Sequence, residues 1–328
     1  MTITVLFTAP YMIPFVERFR TLFERYSIEL IIPQVIERME EKDLLFYAGQ
    51  FDGTICGDDH YTERVLTACV PRLKVISKWG TGIDSIDRQA AARLGIQVCN
   101  TPNAFSMPVA DTVMGYILAF ARRQPWMDRA MKAGVWEKQP CRSLSECTLG
   151  VIGVGNCGKA VIRRANAFGM KILGNDLVEV APDFVSEYRV EMTSLEDLLR
   201  RSDFVSLNCD LNPTSYHLIN TTTLALMKPS AVLVNTARGA IVDEPALIEA
   251  LRVGRIAGAA LDVFEVEPLP LDSPLLQFDN VLLSPHNANS SASAWERVHW
   301  RTIRNLLEGL ALDLTIFNAF RKEFSKEQ

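Results

Sequence analysis

Residues 149–158 read Leu149-Gly150-Val151-Ile152-Gly153-Val154-Gly155-Asn156-Cys157-Gly158, an apolar run that passes into three spaced glycines. A helix-periodic segment follows, with Val161, Ile162, Ala165 and Phe168 on one face and Gly169 at its end. A second apolar run, 171–174, then leads to Asp176. Each part has a physical task. Gly153 lets the chain turn sharply, Gly155 removes a side chain where a pyrophosphate would meet backbone, and Gly158 lets helix and strand approach closely. The N–H groups at the helix start face the negative charge. Asp176 is placed to accept hydrogen bonds from a ribose 2′-hydroxyl, and its carboxylate would repel a 2′-phosphate. Leu177, Val178 and Glu179 bring no cation for such a phosphate, so NAD is expected rather than NADP.

Outward from this unit, the chain has the composition of a soluble globular protein. Its 328 residues allow two domains, with 48% hydrophobic and 22% charged residues. A formal net charge of −5 argues against nucleic acid or an anionic membrane as the main partner. No run approaches the roughly 18 apolar residues of a membrane span. The first residues, 1–7, lack a basic segment and read as a strand rather than a signal peptide. Seven cysteines (56, 69, 99, 141, 147, 157 and 209) are scattered, with no C-x-x-C pair. Neither structural zinc nor a disulfide framework is expected, no metal site is assigned, and a reducing cytoplasm fits best.

Short apolar runs alternate with amphipathic segments along the whole chain. Strand candidates in the first part are 3–7, 28–32, 53–56, 74–77 and 96–99, with helical patterns at 14–26 and 85–94. Residues 106–123 form a long helical pattern with Val109, Val113, Ile117 and Phe120 in register, read as a connector. The second part offers strands at 149–154, 171–174, 204–207, 231–235, 256–261 and 281–284, and a helix at 293–310. The alternation predicts parallel sheets covered by helices. The fold expected is α/β with two doubly wound parallel-sheet domains: residues 1–101 plus 293–328, and residues 102–292. The tail from about Ala311 is expected to pack on the first domain.

In open parallel sheets ligands bind at the carboxyl ends of strands. In the second part those ends carry the glycine loop, Asp176, the 208–214 loop, Arg238, Asp262 and His286. Arg238 follows an apolar strand, where a guanidinium is expensive to bury without an anion, and its planar fork suits a carboxylate. His286 alone of the four histidines stands at a strand end on the expected ligand edge. An imidazole is the natural proton carrier for oxidising an alcohol near neutral pH. Asp262 is suited to hold a nicotinamide carboxamide. Either Glu267 or Glu265 could pair with His286, orient its ring and raise its pKa; spacing alone does not choose.

These residues, together with Gly80-Thr81-Gly82-Ile83-Asp84-Ser85-Ile86-Asp87, Asn100-Thr101-Pro102-Asn103, Asn235-Thr236-Ala237-Arg238-Gly239, Gly258-Ala259-Ala260-Leu261-Asp262-Val263-Phe264, Glu267-Pro268 and Ser284-Pro285-His286, carry a family likeness. The chain resembles the NAD-dependent D-isomer-specific 2-hydroxyacid dehydrogenases, most closely the D-3-phosphoglycerate dehydrogenase branch. The resemblance implies a flavodoxin-like substrate domain and a Rossmann NAD-binding domain. It implies a catalytic set of Arg238, Glu267 and His286, and substrate binding by backbone at Thr81 and Gly82, with Lys78 and Asn103 beside them. Asn156, Cys157, Thr236, Ala237, Asp262 and Ala288 would join the glycines at the cofactor. A homodimer built on the segment 106–140, with Trp126 and Trp136, is likewise implied.

The substrate class implied is a small D-2-hydroxy acid or its 2-keto partner, with 3-phosphoglycerate and phosphohydroxypyruvate as first choice. Lys78 is a candidate phosphate ligand, but the neighbouring loop reads Cys56-Gly57-Asp58-Asp59-His60, acidic where a cation would help. A glyoxylate or hydroxypyruvate reductase is therefore the alternative, and a non-catalytic NAD-sensing protein the rival outside enzymes. Cys157 raises a separate expectation: at a helix N-terminus its thiol pKa would fall and its reactivity rise.

Overall fold

In this computed structural model, which describes residues 2–324, the alternating pattern folds into two α/β units. Unit 1 takes in the chain up to Ala104 and again from Ser291; unit 2 is Phe105–Ser290. Unit 1 contains β1 (Ile3–Phe7), β2 (Ile28–Ile31), β3 (Gly53–Cys56), β4 (Val75–Lys78) and β5 (Gln97–Cys99). Every pairing is parallel, in the order β2-β1-β3-β4-β5, which is the flavodoxin-like order. β3 and β4 are buried at all positions, as expected of strands covered on both faces. The helix Ala292–Gly309 packs on them through the buried Ile303, Leu306 and Leu307.

The tail returns to this unit. Tyr26 donates its hydroxyl hydrogen to the Asp313 carbonyl (2.7 Å) and accepts the Phe317 N–H (2.9 Å). His299, on the same long helix, is 1% exposed, and its Nδ1 accepts the Trp79 indole N–H at 2.9 Å. Burial pushes its pKa down to about 4. The folded state therefore prefers neutral imidazole, so this stabilisation is complete above the ordinary value and is lost as pH falls from 6.5 through about 4. The loss amounts to about 3 kcal/mol. A His299→Gln variant, which keeps an acceptor for Trp79, should show a flatter melting temperature over that window than the native chain.

Unit 2 contains β6 (Thr148–Ile152), β7 (Lys171–Asn175), β8 (Glu191–Met192), β9 (Phe204–Leu207), β10 (Val232–Asn235), β11 (Gly258–Leu261) and β12 (Val281–Leu283). The sheet is parallel throughout, in the order β12-β11-β10-β9-β6-β7-β8. Its order reverses between β6 and β9, the switch point at which Rossmann-type sheets bind ligands. One core cluster joins the helices Ser106–Arg122 and Asn156–Ala167 to the sheet, and a second joins Leu195–Arg201 and Glu244–Arg252.

Several boundaries differ from the sequence expectations for local reasons. The strand expected to reach Val154 ends at Ile152, because Gly153 turns the chain with φ +86°. Residues 14–26 split into a 3-10 helix, Ile13–Phe19, and an α-helix, Arg20–Arg25. The 85–94 helix starts only at Arg88, where the Asp87 side chain accepts the Ala90 N–H. The 106–123 helix stops at Arg122, since Arg123 adopts a left-handed conformation. That helix belongs to unit 2 and packs along Asn156–Ala167. Phe168 caps that helix and is 45% exposed, so it is not part of the core face. β8 was missed because its two residues are both exposed and carry no apolar pattern.

Candidate active site

The glycine loop has the local geometry that its spacing requires. A Cβ on Gly153 would lie 2.5 Å from the Cys209 backbone nitrogen, so the loops after β6 and β9 touch there. A Cβ on Gly158 would lie 2.0 Å from the Gly153 carbonyl oxygen. A Cβ on Gly155, by contrast, would meet nothing within 4 Å, which leaves open space directly before the helix Asn156–Ala167. Asp176 bridges the two strand ends: its carboxylate accepts the Val154 N–H (2.6 Å) and the Val178 N–H (2.9 Å). Two polar atoms near the same edge, Thr236 Oγ1 and Asn208 Oδ1, are buried without a hydrogen-bond partner. An open cradle, a helix N-terminus and orphaned polar atoms together fit a dinucleotide.

Beside this cradle, β10 ends in Asn235, which is 1% exposed and shapes the following turn. Its side chain accepts the Ala237 N–H (3.0 Å) and donates to the Arg238 carbonyl (2.9 Å). Arg238 itself donates from Nη1 to the Ala237 carbonyl at 2.9 Å. Gly239 lets this turn lie against the 264–265 backbone, since a Cβ there would sit 1.9 Å from Phe264.

After β12 the chain turns through His286, which has φ +50°. Its Nδ1 lies 2.9 Å from Glu267 Oε2, and Glu267 Oε1 accepts the Phe264 N–H at 2.9 Å. With Glu267 Oε2 as acceptor, the neutral ring keeps its hydrogen on Nδ1 and presents its lone pair at Nε2. That is the arrangement of a general base held by a carboxylate. Glu265 is occupied elsewhere: it pairs with His217 Nε2 (2.9 Å) and accepts the Glu244 N–H (3.1 Å). The choice left open by spacing falls on Glu267.

Asp262, the residue expected beside a nicotinamide carboxamide, also organises the backbone around His286. It is 1% exposed and turned onto the His286 turn. One oxygen accepts the Ser284 hydroxyl and the Asn287 N–H (2.8 Å), and the other accepts the Ala288 N–H (2.8 Å). Its backbone oxygen accepts the His286 N–H at 2.8 Å. Burial pushes its pKa up, against the pull of these donors.

Unit 1 carries the remaining candidates. The Lys78 side chain is 4% exposed, and its Nζ lies 3.0 Å from Asp58 Oδ1. Asp59 faces inward, accepting the Thr8 hydroxyl (2.5 Å) and the Met39 N–H (2.6 Å). Burial raises its pKa to about 6. The loop after β4 is braced by the residues that follow β5: Thr101 N–H donates to the Gly80 carbonyl (2.9 Å), and Asn100 donates to the Thr81 carbonyl (2.6 Å). Thr81 is exposed and Gly82 half-buried, and Asn103 adopts a left-handed φ of +62°.

With this geometry in place, a family model described as "D-isomer specific 2-hydroxyacid dehydrogenase, NAD binding domain" matches residues 114–288. The chain belongs to that family. The chain is 43% identical over 243 residues to a glyoxylate reductase of Korarchaeum cryptofilum, covering 72% of this chain and 73% of that one. It is 44% identical over 226 residues to a D-3-phosphoglycerate dehydrogenase of Methanocaldococcus jannaschii, covering 68% of this chain but 43% of the relative. Among solved structures it resembles the D-lactate dehydrogenase of Aquifex aeolicus complexed with NAD and lactic acid. That likeness has a TM-score of 0.84 at 29% identity and covers 96% of this chain and 98% of the other. The NAD-binding assignment therefore stands on the family as well as on the cradle.

The hypothesis of a reactive Cys157 meets a partly buried thiol. Its thiol donates to Ser106 Oγ (3.7 Å), and burial pushes its pKa up rather than down. Burial thus works against the thiolate that a helix N-terminus would favour. Sequence reasoning also passed over Asn235 and Ser284 as organisers of the site. Each directly ends or follows an apolar strand, the same signal that pointed to Arg238 and His286.

Proposed function

We propose that the protein is an NAD-dependent reductase of small unphosphorylated 2-keto acids, of the size of glyoxylate or hydroxypyruvate, acting reversibly on the D-2-hydroxy acids. The observation that carries the substrate class is the Lys78–Asp58 pair at 3.0 Å. The cation that a phosphate would need is already neutralised and almost fully buried, so binding a phosphate there would require breaking an ion pair. The likeness to glyoxylate reductases supports the same reading. The likeness to a D-3-phosphoglycerate dehydrogenase supports the second reading, in which phosphohydroxypyruvate is preferred.

In this proposal Arg238 holds the substrate carboxylate or carbonyl oxygen through its planar fork, and the Thr81 and Gly82 backbone contributes N–H donors. Bound NAD supplies the hydride chemistry at C2. His286 removes the hydroxyl proton through Nε2 in oxidation and returns it in reduction. Glu267 holds the ring through Nδ1 and stabilises the imidazolium. Asp176 favours NAD at the ribose. A second copy of the chain is the partner the proposal assigns to the arm around Trp136, which is 84% exposed beside Met131 (50%) and Val135 (47%).

A kcat/KM panel of glyoxylate, hydroxypyruvate and phosphohydroxypyruvate, each with NADH and NADPH, tests the proposal. The expected order places hydroxypyruvate or glyoxylate at least tenfold above phosphohydroxypyruvate. Asp58→Asn, which frees the Lys78 charge, should narrow that gap. A native preference for phosphohydroxypyruvate selects the second reading, and NADH binding without turnover of any keto acid marks a sensor.

A further inference from the structure

His286 sits at the middle of a turn that is tied down on two sides. From below, at the end of β11, Asp262 accepts the Ser284 hydroxyl and the N–H groups of Asn287 and Ala288. From above, the helix Ser106–Arg122 reaches both ends of the same turn. Tyr116 meets Ser284 Oγ at 2.6 Å, and Thr112 Oγ1, one helical turn earlier, donates to the Ala288 carbonyl at 3.3 Å. The direction of the Tyr116 bond follows from proton counting. A serine hydroxyl has one hydrogen, and Ser284 gives it to the Asp262 carboxylate, so Tyr116 must donate to Ser284. The result is a directed chain, Tyr116 to Ser284 to Asp262, whose end holds the two residues that follow His286.

The turn needs such support. A left-handed φ is unfavourable for a residue with a Cβ, and His286 adopts +50°. Nothing in the chain of bonds touches the imidazole. It sets the backbone from which the ring reaches Glu267, where a small shift of the backbone breaks a 2.9 Å contact. We propose that Ser284, linking Tyr116 on the long helix to buried Asp262, is a positioning residue that fixes the His286–Glu267 pair. The inference rests on the proposed role of His286 as proton carrier.

The test compares Ser284→Ala, Tyr116→Phe and Ser284→Thr with the native chain, using two readouts. The first is kcat and its pH profile for keto-acid reduction. The second is the NMR titration of the His286 ring in protein without cofactor, the signal being assigned by its loss in His286→Gln. Ser284→Ala should lower kcat about tenfold, leave the KM for NADH within twofold, and move the His286 titration midpoint. Tyr116→Phe should do the same more weakly, and Ser284→Thr, which restores the hydroxyl, should return both readouts to native values. A native His286 titration in Ser284→Ala overturns the proposal, as does a failure of Ser284→Thr to rescue. Full activity in His286→Gln would instead defeat the proton-carrier role, while the titration still judges the positioning claim by itself.

Discussion

Replacing His286 by Gln should lower kcat for keto-acid reduction by about 10² to 10⁴, the usual contribution of a positioned acid–base group. Gln keeps much of the size and a donor near Glu267 Oε2, so the turn and the NADH affinity should survive. The loss should fall on kcat rather than on the KM for NADH. The pH profile should also lose the limb that reports the imidazole, because amides do not titrate in this range. Steady-state kinetics over pH 5 to 9, with NADH binding followed by fluorescence, checks each part. A variant with native kcat would remove the imidazole from the chemistry.

The second large effect concerns Gly158. An added Cβ would stand 2.0 Å from the Gly153 carbonyl oxygen, so either the turn or the start of the helix Asn156–Ala167 must move. Both movements damage the cradle. Gly158→Ala should weaken NADH binding about a hundredfold or more and lower the melting temperature, a cost on the order of 3 kcal/mol. Gly155→Ala gives the informative contrast. Its Cβ meets no protein atom within 4 Å, and the native φ of −75° suits alanine. It should therefore melt like the native chain while losing NADH affinity. Calorimetric titration with NADH and thermal melts of both variants separate a folding role from a ligand-approach role.

The parts of the site legible in the sequence are those whose signal is local. Three glycines of fixed spacing between an apolar run and a helix state the loop geometry directly, and Gly153, Gly155 and Gly158 adopt three different environments that match three different tasks. Arg238 and His286 stood out as candidates because a charged or titratable group directly after a buried strand has few structural excuses. The choice between Glu265 and Glu267 was not legible, because both follow β11 and only the path of the 262–268 loop decides which one meets His286. The hydrogen bonds of Asp262 were hidden for a related reason: its partners, Ser284, Asn287 and Ala288, lie on a different strand end. The surroundings of Cys157 were only half legible, because a helix N-terminus is visible in sequence whereas the burial that raises the thiol pKa is not. β8 escaped because an exposed edge strand of two residues leaves no periodicity to find.

The contact between Asp176 and the Val154 N–H ties two parts of the proposed cofactor site together. The carboxylate proposed to discriminate against a phosphorylated ribose is also a strut of the loop proposed to receive the diphosphate. Redesigning this protein toward the other nicotinamide dinucleotide is accordingly a two-part problem. Exchanging Asp176 for a small or cationic side chain withdraws the repulsion and the strut in one stroke, and a replacement acceptor for the Val154 amide has to be supplied elsewhere in the scaffold.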